Sequence, residues 1–380
     1  MKILAIETSC DETAISIIEA NGGLGAPTFI VLAEVTVTQL DLHKAFGGVV
    51  PMLAKREHQK ALIPVLLQAI SESGVHSEHK QIDIELLKGI LTKEPELLES
   101  FTHQKNSFPF PEIDAVAFTY GPGLEPALWV GINFAKAIAA LWNKPLVPVN
   151  HMEGHLFAHL AAGETMQFPA LGLLVSGGHT ELVLAKNWCE YEILGSTRDD
   201  AVGEAFDKVA RILGLPYPGG PAISKEAEKW TASEHSALAI SLPRPMINSN
   251  DLDFSFAGLK TAVLYLVQKL PALTPLHIVA IAKEFQDAAI EVLLSKSRRA
   301  IEEYSPKKFI IGGGVSANKL LRSEAAKMIT NDFPDTHLAI PTPKLSTDNA
   351  TMIAVAGYIR HEKFGPTPAD QIQATGNLSL

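Results

Sequence analysis

The sequence predicts an α/β protein of two lobes built from a repeated unit, and three observations support that class. Hydrophobic residues make up 47% of the 380-residue chain, enough to bury one large core or two ordinary ones. Strand-like and helix-like segments alternate through both halves. A strand–turn–strand hairpin also occurs twice, with turns Glu7-Thr8-Ser9-Cys10-Asp11-Glu12-Thr13 and Ser176-Gly177-Gly178-His179-Thr180. A cleft is expected between the two lobes.

Taken in order, residues 2–6, 14–19 and 29–38 read as strands, because β-branched residues enrich them and turn formers separate them. Pro51 opens a long helical pattern, carried by Leu53, Ala54, Leu62, Val65 and Leu66, that stops at Gly74 and holds Pro64 as a kink point. Residues 76–111 are polar, charged and end in Phe108-Pro109-Phe110-Pro111, so they read as an insertion, partly helical at 82–91. A strand at 113–119 runs through Gly121-Pro122-Gly123 into a helix at 127–142 and a strand at 146–149. The second half sets strands at 170–175 and 181–185, then helices at 201–213, 256–270 and 276–304. A strand at 308–311, a helix at 317–329, a strand at 337–340 and a helix at 349–360 complete it.

A net charge of −10 argues against a uniformly basic nucleic-acid-binding face, so any RNA is met by a local patch or through a partner protein. The two cysteines, Cys10 and Cys189, and a start that reaches Glu7 too early for a secretory or transit segment point to the cytoplasm. No apolar run approaches the roughly eighteen residues of a membrane span, so no membrane role is expected.

The strongest chemical signal is Asn150-His151-Met152-Glu153-Gly154-His155. On a helix, histidines four residues apart share a face, and both rings reach one ion at about 2 Å. A surface helix that happens to carry histidines is the alternative, since the chain has 13 of them. The metalloprotease pattern puts a glutamate straight after the first histidine, whereas Met152 holds that position here. Glu153 lies about 200° around the helix from both histidines, so a protease reading lacks its base.

Both hairpin turns offer N–H groups and hydroxyls to a phosphate, or serve as plain connections. Gly312-Gly313-Gly314-Val315-Ser316-Ala317-Asn318 follows a strand and opens a helix, a geometry that lets backbone approach an anion, and the Asn318 amide could bond a nucleoside. A simple strand-to-helix loop is the alternative. Asp207, in Gly203-Glu204-Ala205-Phe206-Asp207-Lys208, accepts from a ribose hydroxyl or pairs with Lys208 or Arg211. Pro216-Tyr217-Pro218-Gly219-Gly220-Pro221 reads as a rigid loop that leaves room for a flat ring or sugar. Thr347 or Asp348 is the natural N-cap of the final helix, and Asp348 is also a natural third ligand beside two imidazoles.

With these segments, and with Gly47-Gly48-Val49-Val50-Pro51 and Phe254-Ser255-Phe256-Ala257-Gly258-Leu259-Lys260-Thr261, the chain resembles the TsaD family of tRNA threonylcarbamoyltransferases over nearly its whole length. That family shares the two-lobed, duplicated ribonuclease-H-like fold of actin, Hsp70 and sugar kinases. The resemblance implies that His151, His155 and Asp348 hold one divalent metal, with Fe(II) ahead of Zn(II). It implies that Leu174, Val175, Ser176, Gly177, Gly178, Asp207, Gly220 and Asn318 line the substrate's nucleotide site, and that Asp11 and Glu12 lie near the reacting end. The implied reaction moves threonylcarbamoyl from threonylcarbamoyl-AMP to the N6 amine of the adenosine 3′ of the anticodon in tRNAs reading codons that begin with A. The implied partners are tRNA, a TsaB-like paralogue and a TsaE-like ATPase, with a homodimer as the other assembly.

On this reading residues 1–150 with 348–380 form one lobe, interrupted by the 76–111 insertion, and 151–347 form a second lobe with the nucleotide- and metal-binding elements. Asn150 stands where many bacterial members have another histidine, and Ser224 where many carry an aspartate. The 76–111 segment is longer than the resemblance leads one to expect, and reads as a partner surface or a disordered loop. An ATP-dependent phosphotransferase or ATPase on the same fold is the runner-up, and a metalloprotease the third reading.

Overall fold

The structure, a computed structural model, describes every residue except 236, 237 and 239. The chain divides into two compact units, Met1–Thr165 with Asp348–Leu380, and Met166–Thr347. The first division thus falls after residue 165, not after 150. The reason is packing: the helix His151–Phe157 and the turn Ala158–Ala162 lie on the helix Ala350–Phe364, so the histidines belong to the first unit.

In the first unit the strands are β1 (Lys2–Glu7), β2 (Glu12–Asn21), β3 (Thr28–Thr38), β4 (Ser77–Lys80), β5 (Phe108–Pro111), β6 (Ala115–Gly121) and β7 (Leu146–Asn150). Five of them form one sheet in the order β3-β2-β1-β6-β7, antiparallel on the β2 and β3 side and parallel from β1 to β7. Central β1 is apolar on both faces because both are covered. Leu4, Ile6, Val116 and Phe118 point to a core shared with the helices Pro51–Ser73 and Glu125–Trp142. The opposite face receives Ala350–Phe364, where Ser16 Oγ lies 2.9 Å from Thr351 Oγ1.

Residues 76–111 are ordered into β4, the helices Ile84–Ile90 and Pro95–His103, and β5, which pairs antiparallel with β4. Leu87, Leu91, Leu97, Phe101 and Phe108 are fully buried in the unit's core. The disordered-loop reading of this segment is therefore replaced by a folded extension.

The second unit repeats the pattern with β8 (Ala170–Val175), β9 (Thr180–Asn187), β10 (Glu190–Ser196), β11 (Lys308–Gly312) and β12 (His337–Ala339), in the order β10-β9-β8-β11-β12. Strand orders match between the units, as the repeated hairpin led one to expect and as the duplicated fold implied by the resemblance requires. Its core joins Leu171, Leu173 and Val175 to Phe206 and Val209 of the helix Val202–Ile212 and to Phe285 and Val292 of the helix Pro275–Tyr304. Where a loop was expected at 216–221, Pro218 instead caps a helix, Gly219–Ala227. That helix packs on both Val202–Ile212 and Pro275–Tyr304.

Phe101 stacks its ring 5.4 Å from Phe108 and 5.8 Å from Phe134, joining the extension to the helix Glu125–Trp142. Phe101→Ala should therefore lower stability by about 3–5 kcal/mol, measured by urea denaturation. A loss under about 1 kcal/mol would mean that the extension is not part of the core.

Candidate functional site

The helix His151–Phe157 begins where β7 ends, and Asn150 caps it by accepting from Met152 N at 2.8 Å. Gly154 faces the helix Ala350–Phe364. A Cβ there would lie 3.0 Å from Ile353 Cδ1 and from Met352 Cγ, so the glycine allows the two helices to close on each other. The contact sets His151 and His155 beside Asp348, just before that helix.

Asn349, rather than Thr347 or Asp348, caps Ala350–Phe364, its Oδ1 accepting from Met352 N at 2.9 Å. The reason is extended backbone at Asn349, which turns its side chain back on the first helical turn and leaves the Asp348 carboxylate available. Asp348 Oδ1 then sits 3.2 Å from His151 Nε2 and 3.2 Å from His155 Nε2. Two ligands at about 2.0–2.1 Å from a tetrahedral ion stand roughly 3.3 Å apart, so these three donors fit one. All three ligand atoms lie within 4.8 Å of one another. His155 is fully buried, and neither of its ring nitrogens has a hydrogen-bond partner among the described residues, an arrangement that suits a metal ligand better than a structural histidine.

Beneath His151 lies Glu7, fully buried at the end of β1 and absent from the sequence-based candidates. Its carboxylate accepts from Ser9 N at 2.5 Å and from Thr119 Oγ1 at 2.5 Å, and lies 3.0 Å from His151 Nδ1. With a carboxylate as acceptor, Nδ1 carries the proton and Nε2 faces Asp348. Its signal in the sequence was an acid on an apolar central strand. Ser9 N–H is engaged by Glu7, so the first hairpin turn ties down the histidine instead of offering that N–H to a phosphate.

Charge in this pocket is strongly balanced. Burial works to raise Glu7 and Asp348, yet the neighbouring His151 holds both below the usual carboxylate range, aided at Asp348 by His155. Burial opposes a charge on His151, but Asp348 and Glu7 outweigh it and raise the ring well above its ordinary value. His155 is shifted the other way: burial lowers it, contact with Asp348 offsets this in part, and His151 adds repulsion. Glu12, at the start of β2, is raised well above the usual range by burial and then by Asp348 and Asp11. Asp11 is buried beside it in the same turn.

In the second unit a cavity of about 800 Å³ is lined by Gly177, Phe206, Asp207, Gly220, Ser224, Gln286 and Asn318, among others. Asp207 does not pair with Lys208, which instead reaches Asp200 and Glu204. Asp207 Oδ1 accepts from Gly219 N at 2.6 Å and so anchors the start of the helix Gly219–Ala227. Burial raises its carboxyl despite the Gly219 and Gly220 N–H groups. Gly313 has φ +88, and a Cβ there would lie 2.4 Å from Val175 O, so only glycine brings the loop this close to β8. Leu174 and Val175 are fully buried within β8 and Ser176 Oγ caps its own turn, accepting from His179 N at 3.0 Å. Within 174–178, Gly177 alone is among the residues lining the cavity. The Asn318 amide is engaged inside the protein. Its Oδ1 accepts from Leu320 N and Leu321 N, and its Nδ2 donates to Ser224 Oγ and Gln286 Oε1. Gln286 was missed because the apolar helical pattern around it marked its position as core.

Glu7→Gln should lower metal affinity about 10- to 100-fold with an unchanged circular dichroism spectrum, since the carboxylate that orients His151 is lost. Competition against a chromophoric chelator measures it, and unaltered affinity would remove Glu7 from the site. His58 supplies a pH test. It accepts from Thr13 Oγ1 at 2.7 Å and donates to Cys10 O at 3.1 Å, and burial lowers its pKa to about 4. Below pH 6.5 the unfolded chain protonates this ring and the folded chain does not, so stability falls as pH drops from 6.5 to about 4 and then levels. On the order of 3 kcal/mol is at stake. Urea midpoints of His58→Gln should fall less steeply than wild type across that window, and parallel curves would refute the assignment.

A family model described as TsaD, tRNA N6-adenosine threonylcarbamoyltransferase, matches residues 30–84 and 97–355, its gap falling within the folded extension. A protein named tRNA N6-adenosine threonylcarbamoyltransferase from Anaeromyxobacter sp. (strain Fw109-5) is 42% identical over 368 residues, 96% of this chain and 97% of that one. One of the same name from Staphylococcus saprophyticus is 43% identical over 361 residues, 94% of this chain and 90% of that one. Full-length HypF in its phosphate- and nucleotide-bound form shares the fold, with a TM-score of 0.55 at 10% identity over 97% of this chain and 56% of that chain. On these matches, this chain belongs to the TsaD family of tRNA N6-adenosine threonylcarbamoyltransferases.

Proposed function

We propose that this chain transfers the threonylcarbamoyl group of threonylcarbamoyl-AMP to the N6 amine of the adenosine 3′ of the anticodon in tRNAs reading codons that begin with A. Likeness to transferases of that name over nearly the whole chain carries the reading. His151, His155 and Asp348 hold one divalent metal; iron(II) is the ion proposed, and zinc(II) also suits two imidazoles and a carboxylate. An ion held by His151, His155 and Asp348 would supply positive charge for the negative charge that grows as AMP departs. The nucleotide is taken by the cavity of the second unit, with Asp207, Gly220 and Asn318 in its lining and Leu174 to Gly178 forming the strand end beside it.

The amine nitrogen forms a bond to the carbamoyl carbon, the bond from that carbon to the phosphate oxygen breaks, and AMP leaves with the electron pair. One proton must leave the amine. Glu12, whose carboxyl burial raises, is placed to accept it, and Asp11 beside it to orient the amine. Proteolysis is disfavoured because Glu153 is buried and paired with Arg360 at 2.9 Å, away from the histidines. Phosphotransfer would give His151 and His155 no task.

Cytoplasmic work on tRNA is proposed. No helix among the described residues is long and apolar enough to cross a membrane. A net charge of −10 leaves the tRNA phosphates to local patches, to a TsaB-like paralogue and a TsaE-like ATPase, or to a homodimer.

Incubation with tRNA, threonine, bicarbonate, ATP and an adenylate-forming enzyme, followed by nucleoside analysis, should yield threonylcarbamoyladenosine. None, even with auxiliary proteins added, would sink the assignment. His155→Ala should lose both bound metal and transfer while keeping its thermal transition, whereas unfolding would mark a structural ion.

A further inference from the structure

Three side chains in the lining of the second unit's cavity, Ser224, Gln286 and Asn318, are wired into one another. Their hydrogen-bond directions follow from the backbone outward. Leu320 N at 2.9 Å and Leu321 N at 3.1 Å can only donate, so the atom of Asn318 that caps them is its oxygen. The other end of Asn318 is then an NH2, and its two hydrogens go to Ser224 Oγ at 3.0 Å and Gln286 Oε1 at 2.8 Å. Ser224 Oγ uses its single hydrogen on the same Gln286 oxygen, at 2.8 Å. Gln286 Oε1 thereby receives two donors and the Gln286 amide can adopt only one orientation.

Every donor of Asn318 and Ser224 is engaged by this network. Gln286 Nε2 is different: among the described residues it has no hydrogen-bond partner, on a side chain only 6% exposed that lines the cavity. An amide nitrogen held in one orientation in the lining of a cavity, with two unmatched hydrogens, is placed to donate to whatever occupies that cavity.

We infer that Gln286 is a nucleoside-binding residue whose Nε2 donates to an acceptor of the substrate's adenosine moiety, a ribose oxygen or a purine ring nitrogen. This rests on the proposal that the cavity takes the nucleotide. It also gives the Asn318 amide a further task, that of setting the orientation of Gln286. Serine at 224 fits the scheme, because its hydroxyl is turned to Gln286 and the recognition passes to a neutral donor.

Gln286→Glu tests the contact with little else altered, since a carboxylate oxygen still accepts from Ser224 and Asn318 while both Nε2 hydrogens disappear. Calorimetric titration of the full chain with adenosine and with AMP should show about a tenfold or greater loss of affinity for both ligands. Gln286→Met, run in parallel, should show the same loss and covers the case in which the buried carboxylate prevents folding. Wild-type affinity for adenosine in either folded variant would overturn the inference. A loss confined to AMP would overturn it too, because that pattern is charge repulsion. Failure of the wild-type chain to bind adenosine or AMP at all would instead bring down the underlying nucleotide-site proposal.

Discussion

The contact between a seven-residue helix and a fifteen-residue one, His151–Phe157 on Ala350–Phe364, is the constraint on which the convergence of His151, His155 and Asp348 depends. One helix carries two imidazoles, and the other is preceded by the carboxylate that completes the donor set. Donors from segments nearly two hundred residues apart in sequence meet only because both helices lie on the same unit. Each helix start is held by an asparagine, Asn150 and Asn349, whose side-chain oxygens accept the first-turn N–H groups. Had Asp348 served as the cap, its oxygens would be committed to backbone and the histidines would converge on nothing.

Burial makes that donor set demanding. Glu7, His151 and His155 are buried and Asp348 is only partly exposed, so two carboxylates and two imidazoles share a largely dry site that is tolerable only if charges alternate and lone pairs are directed. Glu7 answers both needs, drawing the His151 proton to Nδ1 and balancing the positive charge that collects there. In the neighbouring turn burial lifts Glu12 first, and the negative charge of Asp348 and Asp11 adds to it.

Spacing and chemistry made the donor set visible in the sequence: histidines four apart need only a helix, and Asp348 needed only to be a hard carboxylate near a helix start. The duplicated unit was legible from the repeated hairpin. Other parts required tertiary information. Glu7 looks like the end of an ordinary strand until β6 brings Thr119 against it. Residues 84–103 looked polar because short helices bury few side chains per turn, yet Leu87, Leu91, Leu97 and Phe101 suffice to bind them to the core. The Pro218-Gly219-Gly220 run read as a loop, whereas proline with its preset backbone is a good entry to a helix, and Asp207 fixes the first turn from outside.

The second unit illustrates why a polar cluster can be informative when each bond in it has a direction. Asn318 could have been read as a ligand-binding amide on composition alone, and its position in the cavity lining agrees with that. Counting hydrogens reverses the conclusion, because two backbone donors fix its oxygen and two side-chain acceptors use its nitrogen. Order imposed by the helix terminus passes through Asn318 to Gln286 and ends at a nitrogen with no acceptor among the described residues. A neutral donor held this rigidly loses little entropy on meeting a ligand, and it discriminates by requiring an acceptor at one place. The identity of residue 224 matters for the same reason: a serine accepts one Asn318 hydrogen and donates its own to Gln286 Oε1, whereas a carboxylate there could accept but not donate, leaving that oxygen with the Asn318 hydrogen alone.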